Sequence, residues 1–87
     1  MSECTIEIAH EGKIFKATIF EKWSGNKNKV TLAKATDPDN YWMVQDFFLE
    51  DGRKFDTVVS LQSAKSIEKH REILKSLHYM KEEKCSI

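Results

Sequence analysis

The chain has 87 residues, enough for one domain and no more. Apolar residues make up 40% of it and include two tryptophans and five phenylalanines, which excludes an intrinsically disordered chain. The 14 basic and 14 acidic side chains cancel, so the whole chain lacks the positive excess typical of nucleic-acid-binding domains. We expect a single domain over residues 1–87.

The charges are nevertheless divided along the sequence. Residues 10–35 contain six lysines and two acids, whereas residues 36–56 contain six acids and two basic residues. A neutral total therefore does not exclude a positive surface that attracts an anionic ligand.

Cys4 and Cys85 lie near opposite ends of the sequence and do not form the framework of a disulfide-rich domain. The first residues lack the basic start and apolar core of a signal peptide. No apolar run approaches the roughly 20 residues that cross a bilayer. These features predict reduced thiols, a cytoplasmic location and no membrane partner.

Five strand-like runs precede one helix-like run. The strands are expected at about residues 4–9, 13–23, 29–35, 41–49 and 54–61. Apolar spacing predicts a helix over about residues 64–80, with Ser63 as its N-cap and residues 81–87 as a tail. Because the strands come first, we predict an α+β fold, an antiparallel four- to five-stranded meander followed by one C-terminal helix packed on one face.

Side-chain alternation predicts the faces of three strands. In the fifth strand, the face expected under the helix consists of Phe55, Thr57, Val59 and Leu61. In the second strand, Lys16 and Lys22 are expected on the face opposite Phe15. The fourth strand has large apolar groups on both faces, which indicates either burial in a core or dimer interface, or a binding platform.

The predicted hairpin of residues 13–36 is the most basic part of the sequence. Ammonium groups contact phosphates and aromatic rings stack on bases, the two components of a single-strand-binding groove. The candidate nucleic-acid-binding residues are Lys13, Lys16, Phe20, Lys22, Trp23, Lys27, Lys29, Lys34, Trp42, Arg53 and Lys54. Lysines also occur on the solvent face of ordinary sheets and protect edge strands, so a purely structural role fits the same pattern.

Several short strings resemble β-β-β-β-α domains that bind single-stranded nucleic acid, among them the Whirly proteins. The hairpin from Lys13-Ile14-Phe15 through Gly25-Asn26 to Val30-Thr31-Leu32-Ala33 is similar to the PUR repeat. Three strings before the predicted helix resemble a eukaryotic transcriptional coactivator with a C-terminal single-stranded-DNA-binding domain: Tyr41-Trp42-Met43, Gly52-Arg53-Lys54 and Val59-Ser60-Leu61. The resemblance implies a homodimer whose sheets form the nucleic-acid face and whose helices help to join the subunits.

The sequence lacks the usual patterns of catalytic and metal sites. Its three histidines have no cysteine or carboxylate at metal-ligand spacing, and its glycines form no phosphate loop. Asp37 and Asp39 flank a proline, which is typical of a solvated turn. We therefore expect no enzymatic activity, no metal and no cofactor.

Two functions fit these observations. The first is a single-stranded DNA- or RNA-binding protein that acts in transcription, replication or RNA control. The second is a small protein-interaction factor, such as a phage-type inhibitor that binds a basic surface of a host protein through its acidic residues 37–56. A core this small often depends on a partner subunit, so we expect a homodimer.

Overall fold

The computed structural model describes residues 4–82, which form an antiparallel sheet and one helix. The elements in chain order are β1 (Thr5–His10), β2 (Lys13–Ser24), β3 (Asn28–Lys34), β4 (Asn40–Phe48), β5 (Lys54–Ser63), α1 (Ala64–Ser76) and β6 (Met80–Glu82). The sheet order is β1-β2-β3-β4-β5, and β6 pairs with β2. The predicted α+β meander followed by a helix is confirmed.

The sheet curls into a half-barrel around Trp42. The Trp42 ring lies 5.2 Å from the ring of His10 on β1 and 5.2 Å from that of Phe15 on β2. In a flat sheet β1 and β4 would lie about 14 Å apart, because three interstrand spacings separate them. The small side chains of Ala17 and Ala33 leave room for the indole in the curl, and Trp42 is only 5% exposed.

The curled sheet has an apolar cluster on each face. The face that packs against α1, here called the helix face, has a buried cluster of Trp23, Val30, Leu32, Met43, Ile67 and Leu74. The opposite face, here called the Trp42 face, has a buried cluster of Ile8, Ala17, Ala33, Trp42 and Val44. Within residues 4–82 no helix covers the Trp42 face, so the curl of the sheet itself buries the second cluster.

A β-bulge at Phe20 changes the alternation of β2. The register passes directly from the pair Ile19–Ala33 to the pair Glu21–Leu32. Beyond this extra residue each side chain moves to the other face. Trp23 is therefore buried on the helix face, and Lys22 pairs with Thr31 on the Trp42 face. The predicted face of Lys22 is wrong, because that prediction assumed an unbroken strand.

The apolar face of β5 does not lie under the helix, and that prediction is also wrong. Leu61 pairs with Trp42, and Val59 packs against the cluster of the Trp42 face. The residue of β5 that pairs with Met43, on the helix face, is Ser60. Both faces of β4 are apolar. The sequence pattern therefore could not show on which face of the sheet the odd-numbered residues of β5 lie.

The first turn of α1 directly follows β5. The Ser66 amide donates to Oγ of Ser63 at 3.2 Å, which confirms Ser63 as the N-cap. The helix has 13 residues, and its length and polarity do not suit a membrane span.

The helix ends at Ser76 rather than near residue 80. The His78 amide donates to the Lys75 carbonyl at 3.1 Å, and the Tyr79 amide donates to the Leu74 carbonyl at 3.0 Å. These two bonds form a Schellman motif with His78 in the left-handed region at φ 64°. Glycine usually occupies this position, so the end of the helix has no recognisable signal in the sequence.

Residues that were expected in the helix and its tail form β6 instead. The three residues of β6 pair with the end of β2: Met80 with Ser24, Lys81 with Trp23 and Glu82 with Lys22. The first part of β2 pairs with β1 along the same edge. Tyr79 anchors this return, because its hydroxyl donates to Oδ1 of Asn28 at 2.6 Å and its ring packs against the helix-face cluster. Residues 83–87 of the predicted tail lie outside the described residues.

Cys4 lies directly before β1, and its carbonyl accepts a hydrogen bond from the Ile19 amide at 2.9 Å. The side chain of Cys4 is disulfide-bonded. The expectation of reduced thiols is therefore wrong for this residue, and Cys85 lies outside the described residues.

Glu21 joins α1 to the sheet through a carboxylate that is only 8% exposed. Its Oε2 lies 2.8 Å from Nη2 of Arg71 and 3.3 Å from Nζ of Lys81, and its Oε1 accepts a 3.0 Å bond from Nε1 of Trp23. Burial raises the pKa of Glu21, but the bond from Trp23 and the two positive charges outweigh burial and hold the pKa below its usual value. The carboxylate is therefore ionised when the protein is folded at neutral pH.

Replacing Glu21 with Gln removes the charge that faces Arg71 and Lys81 and keeps a similar shape. We expect the free energy of unfolding at pH 7 to fall by about 2 kcal/mol, the size of a hydrogen bond to a charged group. Because the folded-state pKa lies below the usual value of 4.5, the advantage of the wild type is complete above that pH and disappears as the pH falls through the folded-state pKa. Urea denaturation across this pH range measures the difference.

Glu68→Gln is the matched control for this prediction. Oε1 of Glu68 also pairs with Arg71, at 2.7 Å from Nη1, but its side chain is 67% exposed. An exposed pair contributes less than about 1 kcal/mol. If Glu21→Gln and Glu68→Gln lowered the free energy of unfolding equally, burial would not strengthen the Glu21–Arg71 pair.

Candidate nucleic-acid interface

The basic residues predicted to bind nucleic acid are divided between the two faces of the sheet. The bulge brings Lys22 to the Trp42 face, where the strand registers also place Lys29 and Lys54. Lys16 and Lys34 alternate onto the helix face, and both are exposed. Lys13 begins β2, at the opposite end of that strand from the β2–β3 turn.

The aromatic residues predicted to stack on bases lie in the two cores. Trp23 is 4% exposed and Trp42 is 5% exposed, so neither indole presents a ring face to solvent. Phe20 is half-buried, with its ring centre 5.4 Å from that of Tyr41. Burial therefore keeps both indoles from stacking on a base, and Phe20 packs against the helix-face cluster and does not line the groove described below.

Two neighbouring turns at one end of the sheet form a groove of about 520 Å³. Residues 25–29 of the β2–β3 turn form one wall, and Phe48, Leu49, Glu50 and Gly52 form the other. The Phe48 amide donates to the Lys27 carbonyl at 2.8 Å, which holds the two turns together. A side chain at Gly25 would meet the Tyr79 ring at 2.5 Å, so this close approach requires glycine.

Lys29, which lines the groove, and Lys54, on the neighbouring strand, lie on the same face of the sheet as the half-buried ring of Phe48. Nζ of Lys29 lies 6.0 Å from the centre of the Phe48 ring. Lys54 pairs with Phe48 across the β4–β5 ladder, so both side chains project from the same face. Two ammonium groups beside one ring can hold a phosphate backbone while a base stacks on the ring.

Carboxylates lie next to several cations around the groove. Nζ of Lys27 is 3.0 Å from Oε1 of Glu50, and Nζ of Lys54 is 3.8 Å from Oδ1 of Asp46. In the β4–β5 turn, Nε of Arg53 is 2.7 Å from Oδ2 of Asp51. Exposed ion pairs contribute little to stability, so a phosphate can replace the carboxylate of such a pair at small cost.

Phe48, Asn26 and Asn28 belong to the groove although the sequence analysis did not select them. A signal for Phe48 existed, because alternation along β4 places it on the same face as Trp42 and at the end of the strand. No local signal existed for Asn28, which accepts its hydrogen bond from Tyr79, 51 residues away.

No group of three His, Cys, Asp or Glu side chains within residues 4–82 is arranged to hold a metal ion. The carboxylate of Asp37 accepts bonds of 3.0 Å from the Asp39 amide and from Nδ2 of Asn40. This side chain therefore stabilises the β3–β4 turn.

No protein-family model, curated protein or solved structure shows a significant match to this chain. The candidate interface therefore depends on the geometry of the chain itself. The resemblance to PUR, Whirly and coactivator domains stays a prediction.

The buried indoles lead to a fluorescence prediction. We expect oligo-dT to leave the indole emission of the wild type unchanged, because neither Trp23 nor Trp42 offers a ring face to a base. Phe48→Trp places an indole in the groove, and its emission should be quenched when the same oligonucleotide binds. Anisotropy of a labelled oligonucleotide monitors binding independently. Strong quenching of the wild type on binding would instead support stacking on the original tryptophans.

Proposed function

We propose that this chain binds single-stranded nucleic acid through the groove and the adjoining basic end of the Trp42 face. The observation that carries the proposal is the Phe48 ring on the same face as Lys29 and Lys54, at the mouth of a groove large enough for a nucleotide. Asn26 and Asn28 line the same groove and offer amide groups to base edges.

The proposed ligand is single-stranded DNA or RNA, bound without catalysis or a cofactor in transcription, replication or RNA control. A homodimer is part of the proposal. The dimer interface must lie away from β4, because β4 is paired on both edges and Trp42, Met43 and Val44 are buried within the subunit.

We propose the cytoplasm as the compartment, and the state of Cys4 bears on that choice. Thiols in the cytosol are kept reduced, whereas a lasting disulfide is typical of an oxidising compartment. Because Cys4 is disulfide-bonded in the structure, the cytoplasmic assignment requires that this bond be reduced or transient there.

The second candidate, a protein-interaction factor, is favoured by apolar side chains exposed on β5, namely Phe55, Val58 and Leu61. Its acidic segment is engaged in the same ion pairs as the cations around the groove. Asp46, Glu50 and Asp51 pair with Lys54, Lys27 and Arg53, and the Asp37 carboxylate caps a turn.

The salt dependence of binding tests the proposed surface. Changing Lys22, Lys29 and Lys54 together to Gln removes three phosphate contacts. We expect weaker oligo-dT or oligo-U binding and a salt dependence that is flatter by about 2 units of slope, since each contact to a single strand releases about 0.7 counterion. Titrations at several salt concentrations measure the slope.

A charge-matched control for this triple variant changes Lys16, Lys34 and Lys69 to Gln, all of which are exposed. Lys16 and Lys34 lie on the other face of the sheet, and Lys69 lies on α1. The control should bind with the slope of the wild type. Equal losses from the two triple variants would show that net charge alone drives binding.

Glu50→Gln separates the two candidate functions. This change releases Lys27 from its 3.0 Å ion pair and removes a negative charge from the groove. We expect tighter oligonucleotide binding, by about threefold to tenfold at low salt, because one more cation becomes available to phosphate. If the acidic segment instead binds a basic protein surface, Glu50→Gln would weaken that complex and leave oligonucleotide binding unchanged. Lys27→Gln, which should weaken oligonucleotide binding, is the reciprocal variant.

A further inference from the structure

Within residues 4–82, β5 leaves one edge of the sheet open. It pairs with β4 on one side only and is the last strand of the order β1-β2-β3-β4-β5. Seven of its ten residues are exposed, more than in any other strand of the described chain. An open edge presents unpaired backbone donors and acceptors and is a template for pairing with another strand.

The middle of this edge carries exposed apolar side chains. Phe55 is 59% exposed, Val58 is 44% exposed and Leu61 is 48% exposed. Natural edge strands are protected by charged residues, proline or a bulge, and the first part of β5 has Lys54, Asp56 and the bulge at Phe55. Residues 57–61 have none of these features. An unprotected apolar edge of this kind indicates a strand that is covered in the functional assembly.

Symmetry restricts how β5 pairs with a second copy of itself. Side chains directly opposite each other in an antiparallel pair lie on the same face of the sheet. A two-fold axis normal to the sheet also preserves its faces. The register with β4 shifts at Phe55, because Phe47 pairs with Asp56 and Phe48 pairs with Lys54, so alternation is regular only over residues 56–63. Within residues 56–63 an even-numbered residue must therefore oppose an even-numbered one. The axis must therefore pass between two copies of the same residue, and the central choices are residues 57, 58, 59 and 60.

An axis at Val58 gives the most complementary of these registers. It sets Val58 opposite Val58 of the second copy, and Thr57 opposite Val59 of the second copy. The one charged residue of the regular stretch then opposes a neutral one, because Asp56 meets Ser60. An axis at residue 57 would set Asp56 opposite Val58, and axes at residues 59 and 60 would set Val58 opposite Ser60 and Gln62, respectively.

We propose that two copies of this chain pair through their β5 edges, antiparallel and with the two-fold axis at Val58. The pairing joins the two sheets into one and places both Trp42 faces on the same side. One local bond must be exchanged, because the Thr57 amide now donates to Oδ1 of Asp56 at 2.8 Å. The inference names the interface of the proposed homodimer, and it does not depend on nucleic-acid binding.

Val58→Lys tests the axis most simply. The two-fold symmetry brings the two introduced ammonium groups directly opposite each other, and like charges in that position are destabilising. We expect the wild type to be a dimer in the micromolar range by sedimentation equilibrium, and the variant to dissociate with a Kd raised by at least about tenfold. Val58 is exposed in the single subunit, so the variant should keep its circular dichroism spectrum and remain folded.

The matched control is Ile73→Lys, which changes an apolar residue of α1 that is 43% exposed and is not part of the β5 edge. The control should dimerise like the wild type. A wild type that stays monomeric across the micromolar range would overturn the proposal, and so would a dimer that is unaffected by Val58→Lys. Saturable capture of a different protein by β5, with no self-association, would also overturn it.

Mixing two variants tests the register and does not rely on a single substitution. Val58→Lys and Val58→Glu should each be monomeric alone, because each sets two like charges opposite each other at the two-fold axis. In a mixed dimer, the same position becomes a Lys–Glu pair. We therefore expect the mixture, and neither variant alone, to form dimers. A mixture that stays monomeric while the wild type dimerises would overturn the register.

Discussion

The β-bulge at Phe20 is the constraint on which the arrangement of this domain depends. A single extra residue in β2 transfers every later side chain of that strand to the opposite face. It turns Glu21 and Trp23 toward α1, where the carboxylate binds Arg71 and the indole enters the core. The same shift turns Lys22 to the other face, toward the basic end that contains the groove.

The bulge and the curl together explain why a chain this short has apolar clusters on both faces. Trp42 fills the curl on one face, and Trp23 packs under α1 on the other. Both tryptophans are therefore used for stability, and Phe48 beside Lys29 is the ring that lines the groove. Asn28 serves both purposes, because it accepts a hydrogen bond from Tyr79 and also lines the groove.

The sequence was sufficient to predict the order of elements, because strand-like runs with turns between them precede one amphipathic helix. It also predicted the cap at Ser63, a local interaction. The bulge was not predictable, since no Gly or Pro marks Phe20, and a one-residue shift changes the face of every later residue. The end of α1 was missed for a similar reason: His78 takes a left-handed conformation that usually signals glycine.

The sequence was sufficient to select most of the candidate binding residues, but not to predict where the fold places them. The lysines of the hairpin were identified, yet their division between two faces depends on the bulge and on pairing between distant strands. The groove requires two turns to meet, and its Asn28 depends on Tyr79, 51 residues further along the chain. Contacts of this kind follow from the folded topology and leave no local pattern.

Mapping the bound oligonucleotide on the protein tests the central claim most directly. ¹⁵N-labelled protein titrated with oligo-dT, and separately with oligo-U, at low salt reports on each backbone amide by NMR. The account predicts the largest shifts in residues 25–29 and 48–54 and small shifts around Lys16 and Lys34. Shifts concentrated on the helix face would contradict it, as would a spectrum that does not change at saturating oligonucleotide.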